Sequence, residues 1–193
     1  MMPIRWLDHM GIQAADRLDR RLPGARPFAR FLAAYSPHLF GALFILSWYV
    51  AERGDEETRS AIVTSVAAGG IAVGAAKAIS KAARRRRPFA TIDGISPLVD
   101  HRHDSSFPSD HTAGAAAFAA GLVGAPAWLR APATGLAGVI ALSRVYGKLH
   151  WPSDVIAGAA VGLAAARVAL SLRRAASPLT RFGMRISGVS RPR

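Results

Sequence analysis

The sequence contains no cysteine and is poor in acidic residues. Without cysteine the chain has neither disulfides nor thiolate metal sites, and its cysteine usage gives no indication of a redox compartment. Asp and Glu together number 12 against 25 Lys and Arg, which gives a formal net charge of +13. The first 22 residues carry charges of both signs throughout, so we expect no cleavable signal peptide. A length of 193 residues is typical of a single domain.

Hydrophobic residues make up 51% of the chain and are concentrated in five runs with few charges. The runs cover residues 31–51, 61–83, 112–129, 133–149 and 154–172. Each is close to the roughly 20 residues that a helix needs to cross a bilayer, and their many Gly and Ala residues suit close helix packing. The sequence therefore predicts an all-α integral-membrane bundle of about five transmembrane helices. A soluble bundle of buried Ala-rich helices is the alternative.

Arginine clusters flank the apolar runs. Membrane proteins place their basic residues in this way, whereas nucleic-acid-binding proteins interleave them with exposed aromatic residues. We therefore expect the lipid bilayer to be a partner and nucleic acid not to be one. The composition gives no indication of the oligomeric state.

The segments outside the runs define the predicted organisation. Apolar residues recur at helical spacing in residues 1–27, which predicts an amphipathic helix lying in the membrane interface. Residues 28–172 form the predicted transmembrane catalytic domain, and residues 173–193 a basic, flexible tail. Residues 84–111 form one long loop, and loops of this length are often functional.

Three polar clusters interrupt the apolar sequence, at residues 80–89 (SKAARRRRPF), 106–111 (SFPSDH) and 143–154 (SRVYGKLHWPSD). The second run ends where the first cluster begins, and the loop returns to the start of the third run on the same side. The third and fourth runs then form a hairpin, which brings the third cluster back to that side. Because polar groups are costly at membrane depth, their convergence on one face predicts a site.

The residue types in these clusters favour recognition of a phosphate. Arg87 and Arg144 carry planar guanidinium groups that bind phosphate oxygens in pairs. Ser109 and the backbone N–H groups that open the next helix supply further donors, and the helix dipole adds to their effect.

Two histidines and one aspartate add reactive groups. His111 and His150 can serve as proton donor and nucleophile. Asp154 follows His150 by one helical turn, at a spacing that can hold the imidazole in a single tautomer. This set predicts phosphoryl transfer through a phosphohistidine, a chemistry that requires no metal or other cofactor.

The same residues carry a family resemblance. The pattern SRx5Hx3D is complete in Ser143, Arg144, His150 and Asp154, and it follows "RP" at residues 87–88 and "PSDH" at residues 108–111. With these motifs in this order, the chain resembles the type 2 phosphatidic acid phosphatase (PAP2) superfamily over about residues 28–170. It is most similar to the bacterial PAP2-type undecaprenyl-diphosphatases. The superfamily also includes vanadium haloperoxidases, an activity that the membrane character disfavours.

The resemblance implies a role for each matching residue. His150 would attack phosphorus, Asp154 would orient it, and His111 would protonate the leaving oxygen and then activate water. The phosphoryl group would be bound by Arg87, Ser109 and Arg144.

Two positions depart from the family pattern. Ser80 stands where the broader family has a lysine, although the undecaprenyl-diphosphatase branch also tends to lack it, and Lys77 or Lys81 could replace its phosphate contact. Asp110 stands where the superfamily usually has glycine. An acidic side chain repels phosphate, so we expect its carboxylate to point away from the site and cap the helix while its backbone N–H donates.

Two further clusters receive simpler interpretations. Arg84, Arg85 and Arg86 are expected to be interface anchors rather than catalytic groups. Residues 100–104 (DHRHD) resemble a metal-ligand cluster, but we expect a solvated loop there and no metal.

The resemblance implies hydrolysis of undecaprenyl diphosphate to undecaprenyl phosphate, which recycles the carrier for cell-wall synthesis. The alternatives are another lipid phosphate, such as phosphatidic acid, phosphatidylglycerophosphate or a polyprenyl-phosphoryl sugar phosphate, and a non-catalytic lipid-phosphate binder or transporter. The expected location is the bacterial inner membrane. Discounting the arginines that would serve phosphate, the remaining basic residues place the tail in the cytoplasm and the site outside.

Overall fold

The computed structural model describes residues 2–52, 55–100 and 104–186, and this part of the chain is helical without any strand. The six α-helices are α1 (Met2–Arg21), α2 (Arg26–Glu52), α3 (Glu56–Ala83), α4 (Asp110–Gly121), α5 (Ala127–Tyr146) and α6 (Pro152–Ile186). Two short 3-10 helices, Pro23–Ala25 and Pro88–Ala90, lie in the connections. The all-α prediction is confirmed.

Helices α3, α4 and α6 pack against one another to form the centre of the bundle. Their contact is made almost entirely of alanine, and its buried members are Ala68, Ala72, Ala76, Ala113, Ala117, Ala165, Ala166 and Ala169. The four-residue spacing within α3 keeps its alanines on one face of the helix. Side chains this small let the helix backbones approach closely, which is how helices associate where the surrounding lipid is as apolar as the protein.

Two glycines mark the closest approaches. A Cβ added at Gly121 of α4 would lie 2.6 Å from Cα of Ser65 in α3. A Cβ added at Gly158 of α6 would lie 2.5 Å from the carbonyl oxygen of Ser109, the residue that precedes α4. The second contact fixes the start of α4 against α6 and thereby joins two of the polar clusters.

The third apolar run ends earlier than predicted. Instead of extending over residues 112–129 as one helix, it is divided by a turn between α4 and α5. Gly124 has a positive φ of 92° in this turn, and Pro126 is the N-cap of α5. α5 therefore begins at Ala127, before the predicted start of the fourth run at residue 133.

In the described part of the chain, two segments are long and apolar enough to cross a membrane, Glu56–Ala90 and Pro152–Ala175. They contain the second and fifth predicted spans. The 12 residues of α4 are fewer than the roughly 20 of a spanning helix. The number of five transmembrane helices stays a prediction.

Both termini contain helix. α1 forms as predicted, and its exposed residues include the apolar Trp6, Leu7, Met10 and Leu18, whereas its opposite side packs on α5 and α6. α6 continues past residue 172 to Ile186, so the first part of the predicted flexible tail is helical. The rest of that tail, residues 187–193, lies outside the described residues.

Candidate active site

A cavity of about 620 Å³ lies where the polar clusters meet. Its basic lining residues are Lys77, Lys81, Arg84, Arg85, Arg86 and Arg87, and Ser80, Asp110, His111 and His150 also line it. A cavity with so many cations attracts a multiply charged anion. The predicted phosphate-binding residues Ser80 and Lys81 are thus on the wall of the same cavity as both histidines.

His150 is held in the loop between α5 and α6. Its Nδ1 lies 2.7 Å from the backbone carbonyl oxygen of Ser106, and its Nε2 lies 3.2 Å from Nη1 of Arg87. A carbonyl accepts a proton and a guanidinium donates one, so this network assigns the proton to Nδ1 and the lone pair to Nε2. Burial, reinforced by the charge of Arg87, lowers the pKa of His150 to about 3. The imidazole is therefore neutral and Nε2 is available as a nucleophile.

Arg87 is buried and fixed on two sides. Nη1 donates to the carbonyl oxygen of Leu149 at 2.8 Å, while Nε and Nη2 donate to Oδ1 of Asp104 at 3.0 and 2.8 Å. Pro88 follows it and opens a 3-10 helix, which keeps Arg87 extended near the start of the long loop. The guanidinium is thus held beside Nε2 of His150, where a phosphoryl oxygen would have to lie during attack.

His111 and Asp110 begin α4 on the cavity wall. Nδ1 of His111 lies 2.8 Å from Oδ1 of Asp110, and the same oxygen accepts the His111 backbone N–H at 2.8 Å. The prediction that Asp110 points away and caps the helix is wrong. Ser109 is the N-cap, because its Oγ accepts the backbone N–H of Thr112, and Asp110 orients the neighbouring histidine instead.

Ser109 and Arg144, both predicted to bind phosphate, are buried behind the cavity lining. Oγ of Ser109 lies 3.0 Å from Oγ1 of Thr112. Arg144 donates from Nη2 to the carbonyl oxygens of Leu32 and Ala33 in α2, at 3.2 and 2.9 Å. In this structure, Arg144 ties α2 to α5 near the site.

Asp154 does not form the predicted direct hydrogen bond with His150. Oδ2 of Asp154 lies 3.9 Å from Nδ1 of His150 and accepts the backbone N–H of Trp151 at 2.9 Å. The physical reason is that α6 begins at Pro152, so His150 precedes the helix and the one-turn spacing does not apply. The carbonyl of Ser106 holds the imidazole, and Asp154 holds the chain beside it.

Arg85 is a site residue that the sequence interpretation missed. It was expected to anchor the chain at the interface, but its guanidinium pairs with Asp154 and with Asp8 of α1. Nη1 of Arg85 also donates to Oγ of Ser153, at 2.7 Å. Arg85 belongs to a run of four arginines directly after α3, and such a run gives no local signal of long-range pairing.

A second, apolar cavity of about 510 Å³ adjoins the first, since Lys77, Asp110 and His111 line both. Its other walls are apolar residues and glycines of α2, α3, α4 and α5: Gly41, Phe44, Val66, Gly69, Gly70, Val73, Gly114, Ala115, Phe118 and Ile140. A basic cavity joined to an apolar one suits a ligand with an anionic head and a hydrocarbon tail.

Among the described residues, no group of three or more His, Asp or Glu side chains is placed to hold a metal ion. Residues 101–103, within the cluster first considered for metal binding, lie outside the described residues.

This fold and site define the class of the protein: a helical membrane phosphatase whose histidines face a basic cavity. The sequence profile of the PAP2 superfamily matches residues 59–178, and the chain belongs to that superfamily. The predicted family and the predicted phosphatase activity are confirmed.

Two curated relatives support the assignment. The chain is 30% identical over 145 residues to the Bacillus licheniformis protein named "Bacitracin transport permease protein BcrC", covering 72% of this chain and 68% of the relative. It is 41% identical over 78 residues to the Escherichia coli (strain K12) protein named "Putative undecaprenyl-diphosphatase YbjG", covering 40% of this chain and 39% of that one.

Two solved structures share the fold. LpxE of Aquifex aeolicus aligns with a TM-score of 0.65 at 22% identity, over 77% of this chain and 87% of that one. A transmembrane PAP2-type phosphatidylglycerolphosphate phosphatase from Bacillus subtilis aligns with a TM-score of 0.68 at 21% identity, over 90% of this chain and 88% of that one.

Proposed function

We propose that this protein hydrolyses undecaprenyl diphosphate to undecaprenyl phosphate through a phosphohistidine on His150. The observation that carries the proposal is the arrangement at Nε2 of His150. This nitrogen is unprotonated, faces a cavity rich in cations, and lies 3.2 Å from the guanidinium of Arg87. A neutral nucleophile beside a fixed donor is what attack on a phosphoryl group requires.

The proposed reaction has two steps. Nε2 of His150 forms a bond to the terminal phosphorus while the bond from phosphorus to the bridging oxygen breaks, and His111 donates a proton to that oxygen. Undecaprenyl phosphate leaves. His111, now neutral, accepts a proton from water as the water oxygen attacks phosphorus, the P–N bond breaks, and inorganic phosphate leaves with His150 restored.

Further residues of the site support these steps. Asp110 holds Nδ1 of His111, which leaves the Nε2 end of that ring to exchange protons with substrate and water. Arg87 stabilises the charge that develops on the phosphoryl oxygens, and Ser80 and Lys81 are placed on the same wall to contact the diphosphate. Ser109 holds the start of α4 and Arg144 holds the end of α5 against α2, and both side chains are buried.

The choice of substrate rests on three observations. A diphosphate carries more negative charge than a phosphate monoester, and the cavity supplies six basic residues. The apolar cavity beside His111 accommodates part of a hydrocarbon chain. A relative that is 41% identical over its matched region bears the name of an undecaprenyl-diphosphatase. One solved structure with this fold is named as a phosphatidylglycerolphosphate phosphatase, so another lipid phosphate is the second candidate.

We also propose that the protein lies in the bacterial inner membrane with the cavity on the extracytoplasmic side. The balance of basic residues outside the site supports this orientation. Because the chain has no native cysteine, single cysteines introduced in the loop of residues 84–111, for example in place of the exposed Asp93, report the side directly. Labelling of intact cells by a membrane-impermeant maleimide is the expected result, and labelling only after lysis would reverse the orientation.

The decisive experiment measures phosphate release from undecaprenyl diphosphate by the detergent-purified protein in excess EDTA. We expect turnover by the wild type and a loss of at least about 1,000-fold in kcat for His150→Ala. His38→Ala, an exposed histidine of α2, is the matched control and is expected to keep full activity. Substrate labelled in its terminal phosphate should leave alkali-stable label on the wild-type protein and none on His150→Ala.

The other outcomes discriminate among the alternatives. Activity on phosphatidic acid or phosphatidylglycerophosphate alone would keep the mechanism and replace the substrate. Loss of activity in EDTA that Mg²⁺ restores would replace the mechanism. Binding of every lipid phosphate without release from any would make the protein a binder.

A further inference from the structure

Helix α1 lies across the loop that carries His150 and makes buried ionic contacts on both sides of it. The acids responsible are Asp8 in the first half of α1 and Asp19 near its end, and both are buried. A helix that only rested in the membrane interface would have no reason to bury carboxylates against the bundle, because burying a charge is costly unless it is paired.

Asp8, a residue of α1, caps the N-terminus of α6. Its Oδ1 accepts the backbone N–H of Ser153 at 2.9 Å, and its Oδ2 accepts the hydroxyl of the same residue at 2.7 Å. Since α6 begins at Pro152, the Ser153 N–H is one of the first-turn donors that have no acceptor within the helix. A carboxylate in this position also stabilises the positive end of the helix dipole.

The same carboxylate pairs with Arg85, and Arg85 pairs in turn with Asp154. Oδ2 of Asp154 then accepts the backbone N–H of Trp151, the residue that follows His150. An uninterrupted chain of charge-assisted hydrogen bonds thus leads from α1 to the backbone next to the nucleophile. Because Arg85 contacts both carboxylates, we expect a displacement of Asp8 to shift Asp154.

The other side of the loop is held by Asp19. Lys148, two residues before His150, is buried and donates from Nζ to Oδ2 of Asp19 at 2.8 Å. Its φ is +59°, in the left-handed region that costs a residue with a side chain about 1 kcal/mol or more. The hydroxyl of Tyr146 also donates to Asp19, at 3.2 Å. The ion pair between Lys148 and Asp19 therefore stabilises an unfavourable backbone conformation two residues before the nucleophile.

Between Asp8 and Asp19, two further contacts join α1 to the segment that follows His150. The ring of His9 lies 5.1 Å from the ring of Trp151, between centroids. A Cβ placed on Gly11 would lie 2.5 Å from Cγ of Pro152, so α1 touches the start of α6 at a residue with no side chain.

From these contacts we propose that α1 is a part of the active site, in which Asp8 is a positioning residue for His150 that acts through Arg85 and Asp154. The proposal rests on the proposed nucleophilic role of His150. Asp8 does not line the basic cavity, so its removal should change the geometry of attack and leave phosphate binding in place. A misplacement of about 1 Å at a nucleophile can cost about 100-fold in rate.

The first test compares Asp8→Asn with Arg17→Gln, a charge change at an exposed position of the same helix. We expect Asp8→Asn to lower kcat by about 10- to 100-fold with KM within about threefold of the wild type, and Arg17→Gln to change neither constant by more than about twofold. An unchanged kcat in Asp8→Asn, or a loss confined to KM, would overturn the positioning role.

A double-variant comparison tests the route through Arg85. If Asp8 acts through Arg85, Asp8→Asn combined with Arg85→Gln should be no more than about threefold slower than Arg85→Gln alone. Multiplication of the two single effects would show that Asp8 acts by another route. Thermal unfolding of all variants separates these rate effects from loss of the folded state.

A disulfide tests the docking of α1 independently of activity. The Cβ expected on Gly11 lies 3.7 Å from Cβ of Pro152, which is within the disulfide range of roughly 3.5–4.5 Å. Gly11→Cys with Pro152→Cys also removes the proline Cγ that a Cβ on residue 11 would strike. We expect oxidation to protect both thiols from maleimide and to leave kcat within about threefold of the reduced form.

Free thiols after oxidation, or inactivation that reduction reverses, would overturn the proposal that the docked helix belongs to the active enzyme. If the wild type has no phosphatase activity and the Gly11→Cys/Pro152→Cys variant still forms the disulfide, the function proposed for His150 is overturned and the position of α1 is established.

Discussion

The polar end of the bundle and its alanine-rich centre are held together by opposite means. At the centre, α3, α4 and α6 meet through buried alanines and through glycines at which the backbones nearly touch. At the polar end, the buried groups include Arg87, Lys148, His150 and Asp154, and each has a named partner.

The two regions are sensitive to different kinds of substitution. In the centre, shape matters and charge is absent, so a single added methyl group is the relevant perturbation. At the polar end, the cost lies in leaving a buried group without its partner, which makes the chemistry of a substitution more important than its size.

The largest effect is expected for Arg87→Lys. Lysine keeps the charge, but it cannot contact the Leu149 carbonyl, Asp104 and the phosphoryl oxygen with one rigid fork. We expect kcat/KM for phosphate release to fall by about 100-fold or more. The matched change Arg84→Lys, at an exposed residue of the same cavity, should cost less than about threefold. Equal losses in the two variants would mean that the cavity uses only overall charge.

In the centre, Gly158→Ala should destabilise the fold by about 1–3 kcal/mol, because its Cβ would lie 2.5 Å from the Ser109 carbonyl oxygen, a backbone atom. Gly70→Ala is the control, since nothing lies within 4 Å of its Cβ position. That variant should be neutral or up to about 1 kcal/mol more stable, as alanine favours the helix. Thermal unfolding in detergent measures both, and equal behaviour would contradict the close approach of α6 to α4.

The dependence of stability on pH tests the polar end of the bundle through His150. The unfolded chain binds a proton at this residue below about pH 6.5, whereas the folded chain keeps it neutral down to a pKa of about 3. Since the unfolded state binds more protons within this window, stability falls as the pH falls. At about pH 5 the loss attributable to His150 is about 2 kcal/mol.

His150→Gln is the test of this linkage, because glutamine does not titrate. The drop in unfolding temperature between about pH 8 and pH 5 should be smaller in His150→Gln than in the wild type. An identical drop in the two proteins would show that His150 is not buried in its neutral form.

The smallest effect is expected at the Arg20–Asp16 pair on α1, where the arginine side chain is 73% exposed. Arg20→Gln should change the free energy of unfolding by less than about 0.5 kcal/mol. Asp19→Asn on the same helix should cost several times more, because it removes the nearer of the two carboxylates that pair with the buried Lys148 ammonium and leaves only Asp16, at 3.1 Å. Comparable losses would contradict the burial of the second anchor.

Much of the site could be predicted from local pattern. The helices follow from long apolar runs, and the convergence of three polar clusters follows from counting the times the chain crosses the bundle. His111, His150 and Arg87 line the predicted cavity because their clusters lie at the ends of helices that pack side by side.

The errors share a cause. The hydrogen bond expected between His150 and Asp154 assumed a helix that begins before His150, but the proline at 152 opens α6 two residues later. For Arg144, residue type and the SRx5Hx3D motif predicted a phosphate contact, and only the packing of α2 shows that its Nη2 also donates to the carbonyl oxygens of Leu32 and Ala33. Helix boundaries and the direction of a long side chain depend on neighbours that sequence spacing does not reveal.

The sequence by itself determined the all-helical class, the family and the chemical groups of the site, because hydrophobic periodicity and motif spacing are local properties. Only the tertiary structure decided which groups are partners. Asp8 meets Ser153, and Asp19 meets Lys148, across more than a hundred intervening residues. Such pairs form because a buried charge requires a counter-charge wherever packing brings one, and the order of residues along the chain does not specify which one that is.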